Sequence, residues 1–266
     1  MMEVRLLNKE SDKVAFLIKG IDPSVGNAIR RTIIEDVPTL AIEDVEIWNN
    51  SSALYDEIIA HRLGLIPIKT DLKSYNLPEE CSCKGKGCAK CSLKFTLKAT
   101  EPGIVFAERL RSSDPKCVPA HPKMPIVKLD KGQKLELQAV AVLGKGSKHA
   151  KWSPGHVYYK AVPKIKINSK RCNGCGACVK NCPQRVLALK DGKAAVLKER
   201  ELDCHLCLAC VDACQKKAID VTASESDFIF NVESWGQLEP VEIVRKAFEI
   251  LEGKFKAFAK AIAKTA

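Results

Sequence analysis

The chain has 266 residues, 46% of them hydrophobic and 28% charged, with 43 Lys and Arg against 32 Asp and Glu for a net charge of +11. These values describe a globular protein of one large or two to three modest domains and exclude disordered, fibrous and transmembrane classes, since no apolar run approaches bilayer length. The N-terminal MMEVRLLNKE is charged from its third residue and has no secretory pattern, so a cytoplasmic location is expected. The positive charge suits work near nucleic acid and equally suits a well-solvated lysine-rich surface.

In chain order, residues Val4 to Ile21 read as two strands: Val14, Phe16 and Ile18 alternate with other residues after the polar stretch Asn8–Lys13. Ser24 is placed to cap a helix running to about Asp36, with Val25, Ala28, Ile29, Thr32 and Ile33 on one face. Pro38 ends it. Leu40 to Trp48 reads as a strand whose apolar parity shifts between Ile42 and Val45, the mark of a bulge. A turn is expected at Asn49–Ser52, then a short helix from Leu54 to Leu63 closed by Gly64. Thr70 to Tyr159 is strand-and-loop territory, with β-like stretches at Lys94–Ala99 and Leu135–Leu143. The last zone is a helix from about Pro240 in which Val244, Ala247, Leu251, Phe255, Phe258 and Ile262 recur at three- and four-residue steps. That narrow stripe resembles a helix-pairing seam, although burial against its own domain fits the period equally well.

Cysteine carries the strongest signal. Without a secretory pattern, 13 cysteines point to metals in a reducing compartment; disulfide-rich intracellular proteins of hyperthermophiles are the exception. Cys172, Cys175, Cys178, Cys182 and Cys204, Cys207, Cys210, Cys214 form two copies of C-x2-C-x2-C-x3-C, displaced by a constant 204 − 172 = 32 residues. This is the bacterial ferredoxin run, in which three thiolates of one copy and the fourth of the other hold each cluster. The sets are then Cys182 with Cys204, Cys207 and Cys210, and Cys214 with Cys172, Cys175 and Cys178. Pro183 follows Cys182, whereas Gln215 follows Cys214, so the first set is favoured if a single cluster binds. One or two [4Fe-4S] clusters are expected, and a [3Fe-4S] form that leaves Cys207 unused stays open. The apolar segments Val186–Leu189 and Ala218–Val221 repeat after each copy. A separate loop, Cys81, Cys83, Cys88 and Cys91, holds enough thiolates for one tetrahedral Zn²⁺, with disulfides or free thiols as alternatives. Cys117 belongs to no motif and reads as a small packing residue.

The segment 25–68, VGNAIRRTIIEDVPTLAIEDVEIWNNSSALYDEIIAHRLGLIPI, resembles the signature of the RNA polymerase α-like subunits. Its matching residues include Asn27, Arg30, Arg31, Pro38, Asn50, Ser51, Ser52, Asp56, Glu57, His61, Arg62, Gly64 and Pro67. GKGSKHAKWSP at 144–154 and FIFNVESWGQLEPVEIVRKAFEIL at 228–251 extend the resemblance, and the ferredoxin-like insertion narrows it to the archaeal, D-type branch of that family. The resemblance implies an α+β fold with an RNA polymerase α N-terminal-like dimerisation domain from residues 1–48 and 223–266. A β-rich insert (49–167) carries the 81–91 loop, in which eukaryotic relatives hold zinc, and a ferredoxin-like module fills 168–222. It also implies a heterodimer with a smaller α-like subunit, archaeal subunit L, as the platform for the large catalytic subunits and other small subunits. Asn27, Ile29, Arg30, Ile33, Val244, Ala247, Leu251, Phe255 and Phe258 are its candidate interface residues. DNA would be met only through the complex.

No D-x-D pair, complete phosphate loop or G-x-G-x-x-G fingerprint is present, so the chain is expected to bring no catalytic residues to that nucleotidyltransferase complex. His61-Arg62 has no adjacent nucleophile, and Ser51-Ser52 reads as turn and cap chemistry. The competing reading, an iron–sulfur electron-transfer subunit of a soluble oxidoreductase, explains the third zone alone. A zinc-and-basic nucleic-acid binder is weaker still, because aromatic content is 6%.

Overall fold

A computed structural model describes residues 2–265. The chain mixes helices and sheets, as its α+β reading requires. In order it forms β1 (Glu3–Lys9), β2 (Lys13–Lys19), α1 (Pro23–Glu35), β3 (Thr39–Asn50), α2 (Asp56–Gly64), β4 (Leu93–Ala99), β5 (Gly103–Phe106), β6 (Arg111–Ser112), β7 (Pro125–Leu129), β8 (Leu135–Gly144) and β9 (Gly155–Ile167). Then follow α3 (Ala177–Lys180), β10 (Leu187–Lys190), β11 (Lys193–Val196), α4 (Ala209–Asp212), β12 (Ile219–Ser234) and α5 (Pro240–Thr265). The chain divides into two compact units, Met1–Leu7 with Ala15–Gly26 and Tyr158–Asn231, and Asn8–Val14 with Asn27–Val157 and Val232–Ala266.

The first unit is organised by a sheet of order β1-β2-β12-β9. Phe16 stacks on Phe230 at 5.3 Å between ring centroids, and Tyr159 stacks on Phe230 at 5.1 Å. Gly26, near the start of α1, lies where a Cβ would sit 3.7 Å from both Phe230 and Tyr159, so the helix start packs on that aromatic row. Asp22, rather than Ser24, supplies the capping carboxylate: its Oδ1 accepts from the Ser24 amide at 2.8 Å, and Pro23 takes the first helical position, where no donor is needed. The expected five-residue apolar face is also narrower. Ile29, Thr32 and Ile33 are buried, while Val25 and Ala28 are exposed.

The second unit holds the sheet β3-β8-β4-β6, an antiparallel β5-β7 ribbon, α2 and α5. Strict alternation in β4 and β8 turns Leu93, Phe95, Leu97, Leu135, Leu137, Ala139 and Ala141 into one core with Ile59 and Leu63 of α2. The register between β3 and β8 shifts at Ile42/Asp44, where the apolar parity shifts, and again at Ile47/Asn49. Asn49 and Asn50 remain in the strand because they still pair with Glu136 and Leu135, so the turn begins two residues later than its polar residues suggest. Gly64 stays inside α2 and is buried against the Ile42 carbonyl; Leu65 caps the helix at φ −88°, so no left-handed glycine is used. Strand pairing also departs from the expected boundaries. β3 shares a ladder with β8, and β9 lies beside β12, so residues 39–48 go with the insert's sheet and 155–167 with the sheet of β1, β2 and β12.

α5 changes character along its length. Ile243 and Ala247 are fully buried, but Phe255 and Phe258 are 70% and 65% exposed.

Candidate metal centres

The repeat of 32 residues is written into the backbone as well as the cysteines. α3 and α4 start 32 residues apart, at Ala177 and Ala209. Left-handed φ recurs at Gly174 and Leu206, Gly176 and Leu208, and Arg185 and Lys217. The first copy meets two of these positions with glycine, the residue that takes them without strain, whereas the second holds leucine there. Sequence gives no hint of the latter, since leucine avoids this region. A Cβ on Gly174 would lie 1.9 Å from the Gly192 carbonyl oxygen, so that turn is closed tightly on the β10–β11 connection.

These turns gather the thiols into two sets. One cavity, of about 210 Å³, is lined by Cys172, Cys175, Cys178 and Cys214 together with Asn173 and Lys216. A tighter one, of about 10 Å³, is lined by Cys182, Cys204, Cys207 and Cys210 among Ile165, Val186, Leu208 and Val221. Each set crosses the repeat, three cysteines from one copy and the fourth from the other.

The surroundings fit thiolate-held iron. The Ala194 amide donates to Cys172 Sγ at 3.4 Å and the Ala218 amide to Cys214 Sγ at 3.2 Å. The Ala194 amide, with that of Gly174, holds the Cys172 thiol below its ordinary pKa. Burial pushes Cys178 up, reinforced by negative charge on Cys214. Burial likewise raises Cys210 to about 11, with Cys182 and Cys204 adding repulsion. Four thiolates in such a space need a cationic centre to neutralise them, which iron would supply. One residue outside the motif reaches the second set: Lys160 Nζ, on β9, donates to the Leu202 and Cys204 carbonyls at 2.7 and 3.0 Å. Burial lowers its pKa, while negative charge on Cys204 and Asp203 opposes the shift. No sequence spacing connects Lys160 to a partner 44 residues away.

The third cluster is Cys81, Cys83, Cys88 and Cys91, whose Sγ atoms all lie within 4.8 Å of one another. Cys81 to Cys88 is 3.5 Å, Cys83 to Cys81 3.6 Å, Cys83 to Cys91 3.4 Å and Cys88 to Cys91 3.9 Å. With Zn–S bonds of about 2.3 Å, a tetrahedron has S···S edges of about 3.8 Å, so the donor set fits Zn²⁺. No disulfide joins these thiols. The Cys88 amide and the Cys91 thiol pull Cys83 down to about 6, and burial, then the hydrogen bond to Cys83, pushes Cys91 up to about 12.

Among the proposed interface residues, Ile29, Ile33 and Ala247 are buried inside the chain at 0–1% exposure. In this conformation they support the helices rather than present a surface. Asn27 and Phe255 and Phe258 are exposed, and Arg30, Val244 and Leu251 are half-buried. Arg30 donates to Asn27 Oδ1 at 2.9 Å. Among the described residues no helix is long and apolar enough to cross a membrane.

Residues 45–157 match the RNA polymerase Rpb3/RpoA insert domain, and residues 171–219 match a 4Fe-4S dicluster domain. DNA-directed RNA polymerase subunit Rpo3 of Methanosarcina acetivorans is 40% identical over 255 residues, covering 95% of both chains. The Archaeoglobus fulgidus protein of the same name is 41% identical, covering 98% of both, and that of Pyrococcus furiosus is 36% identical, covering 99% of this chain and 98% of the relative. With identity at this level sustained from end to end, the chain belongs to the archaeal DNA-directed RNA polymerase subunit Rpo3 family.

Proposed function

We propose that this chain is a non-catalytic assembly subunit of DNA-directed RNA polymerase, pairing with a smaller α-like subunit (archaeal subunit L) to form the platform for the large subunits in the cytoplasm. The match across nearly the whole chain carries the reading, whereas an electron-transfer subunit would account only for residues 171–219. The pairing is supported by α5, whose Phe255 and Phe258 stand exposed on its apolar stripe, in line with Ile262. The domain plan is a dimerisation domain (1–48 and 223–266), an insert (49–167) and an iron–sulfur module (168–222); β3 crosses the first boundary, and β9, inside the insert's range, pairs with β12 of the other sheet.

Both thiol sets in the module are proposed to bind [4Fe-4S], because each cavity offers four sulfur donors. Bound iron would give the module metal–thiolate bonds in place of the core that so short a segment cannot build. The chain's own contribution is to orient the thiols through the paired left-handed turns and to donate the Ala194 and Ala218 amides to sulfur. The 81–91 loop is proposed to hold one structural Zn²⁺. Purification from native cells tests the main reading: co-elution of the large polymerase subunits is expected, and co-elution of a flavin or dehydrogenase subunit would overturn it. Elemental analysis should find about one zinc per chain, lost when Cys88 and Cys91 become Ser.

A further inference from the structure

Lys160 is placed where a structural residue has no need of a charge. It lies in β9, half-buried, and its ammonium gives two of its three protons to the Leu202 and Cys204 carbonyls at 2.7 and 3.0 Å. Cys204 is one of the four thiols of the tight, largely apolar cavity, and Cys204 itself is buried. Bringing an ammonium into partly apolar surroundings to satisfy two neutral carbonyls is a costly way to fasten a loop. The cost is offset if negative charge lies close by, as four thiolates around iron provide. The other set lacks this arrangement. Lys216, which lines that cavity, and Lys193, which donates to the Ser169 carbonyl at 2.6 Å, are both exposed, so solvent screens their charge.

Resting on the cluster reading above, we propose that Lys160 is a positioning and counter-charge residue for the set Cys182, Cys204, Cys207 and Cys210: it fixes the Cys204 loop to β9 and raises the reduction potential there. Accepting one electron adds one negative charge inside the set, and a fixed cation nearby favours the reduced form. Net charge, hydrogen bonding and solvent exposure are the levers by which proteins set such potentials. Lys160 acts through the first, as a fixed cation, while its hydrogen bonds hold the Leu202 and Cys204 carbonyls in place.

The test uses the full chain, loaded anaerobically with iron and sulfide and titrated with dithionite as electron donor while paramagnetic signals are followed. Lys160→Met should shift one midpoint negative, so that the oxidised-to-reduced ratio at a fixed potential rises three- to tenfold; tenfold is about 59 mV for one electron. Lys160→Arg should stay near wild type, and Lys193→Met should leave this midpoint in place. Unmoved midpoints in loaded Lys160→Met protein overturn the proposal, as does an equal shift in Lys160→Arg. If Lys160→Met takes up less iron, Lys160→Gln is titrated instead. Iron loss in both neutral variants with full loading of Lys160→Arg supports the positioning role, and loss in the arginine variant too overturns it. A wild-type chain that takes up no iron and sulfide overturns the cluster reading itself, a result separable from failure of the lysine alone.

Discussion

The Gly192 carbonyl leaves no room for a side chain on Gly174. Gly174→Ala would drive a Cβ to 1.9 Å from the Gly192 oxygen and also impose a left-handed φ of +73° on alanine. The expected result is loss of iron from the Cys172, Cys175, Cys178 and Cys214 set, read as a fall of about half in iron per chain if both sets load. Gly192→Ala is the control: its φ is also positive at +71°, but nothing lies within 4 Å, so only the backbone penalty of about 1 kcal/mol applies and iron is retained. Cys117 provides a pH-dependent case. It is fully buried, and burial pushes its thiol up to about 11. A folded pKa above the unfolded value keeps its stabilising contribution below the unfolded pKa and loses it as pH rises towards the folded one. Stability should therefore fall more steeply from about pH 9 to 11 than in Cys117→Ala, measured by denaturant titration at each pH. At this scale the grouping of the thiols was legible, because cysteine spacing is rigid chemistry and each expected set gathers in one place. Lys160, Leu206 and Leu208 were not, since their roles depend on distant backbone or on a conformation their residue type avoids.

Among elements, periodicity exposed α1, β2, β4, β8 and α5, because each turns one regular face to a core or outward. It missed β5 and β7, whose short pairing is set by partners across the chain, and it misread helix ends. Asp22 caps α1 in place of Ser24 because Pro23 fixes the first turn one residue earlier. The parity break in Leu40–Trp48 did reveal the first β3 bulge, while the second, at Ile47/Asn49, falls where the apolar pattern stops after Trp48, so no further alternation marks it. For α5 the period could not separate burial from pairing, and the structure contains both: a first half with Ile243 and Ala247 buried, and a second half with Phe255 and Phe258 exposed. The two halves should respond differently to charge. Leu251→Asp with Phe255→Asp should abolish capture of the smaller α-like subunit while shifting the melting temperature of the isolated chain by only a few degrees. Ala247→Asp, at 0% exposure, should unfold the chain outright, since it buries an unpaired carboxylate. Undiminished capture by the double variant would remove α5 from the interface.

At the scale of the whole molecule, the iron–sulfur module either relays electrons or holds the structure together, and its core composition favours the second. The buried cluster there consists of Cys178, Cys182, Val186, Leu187, Cys204, Cys210, Ile219 and Val221. Half of it is thiol, so without iron the remaining aliphatic side chains form a core smaller than those of domains that fold alone. Scaffolds below about 70–80 residues rarely gain more than ~3–5 kcal/mol from a single core and need metal or disulfide support. Replacing Cys204, Cys207 and Cys210 with Ser should therefore unfold the module, seen as loss of protection from amide exchange across residues 168–222. Because β12 begins at Ile219 within that core and continues to Ser234, the damage should spread into the sheet of β1, β2 and β9 and lower the yield of reconstituted polymerase. The transcription rate per assembled complex should stay at the wild-type value, as this chain is proposed to supply no reacting group. Full assembly at a reduced rate would contradict the staple role. A rate that follows applied redox potential while iron content stays constant would mean that electrons entering the cluster reach the catalytic subunits, and the relay reading would replace it.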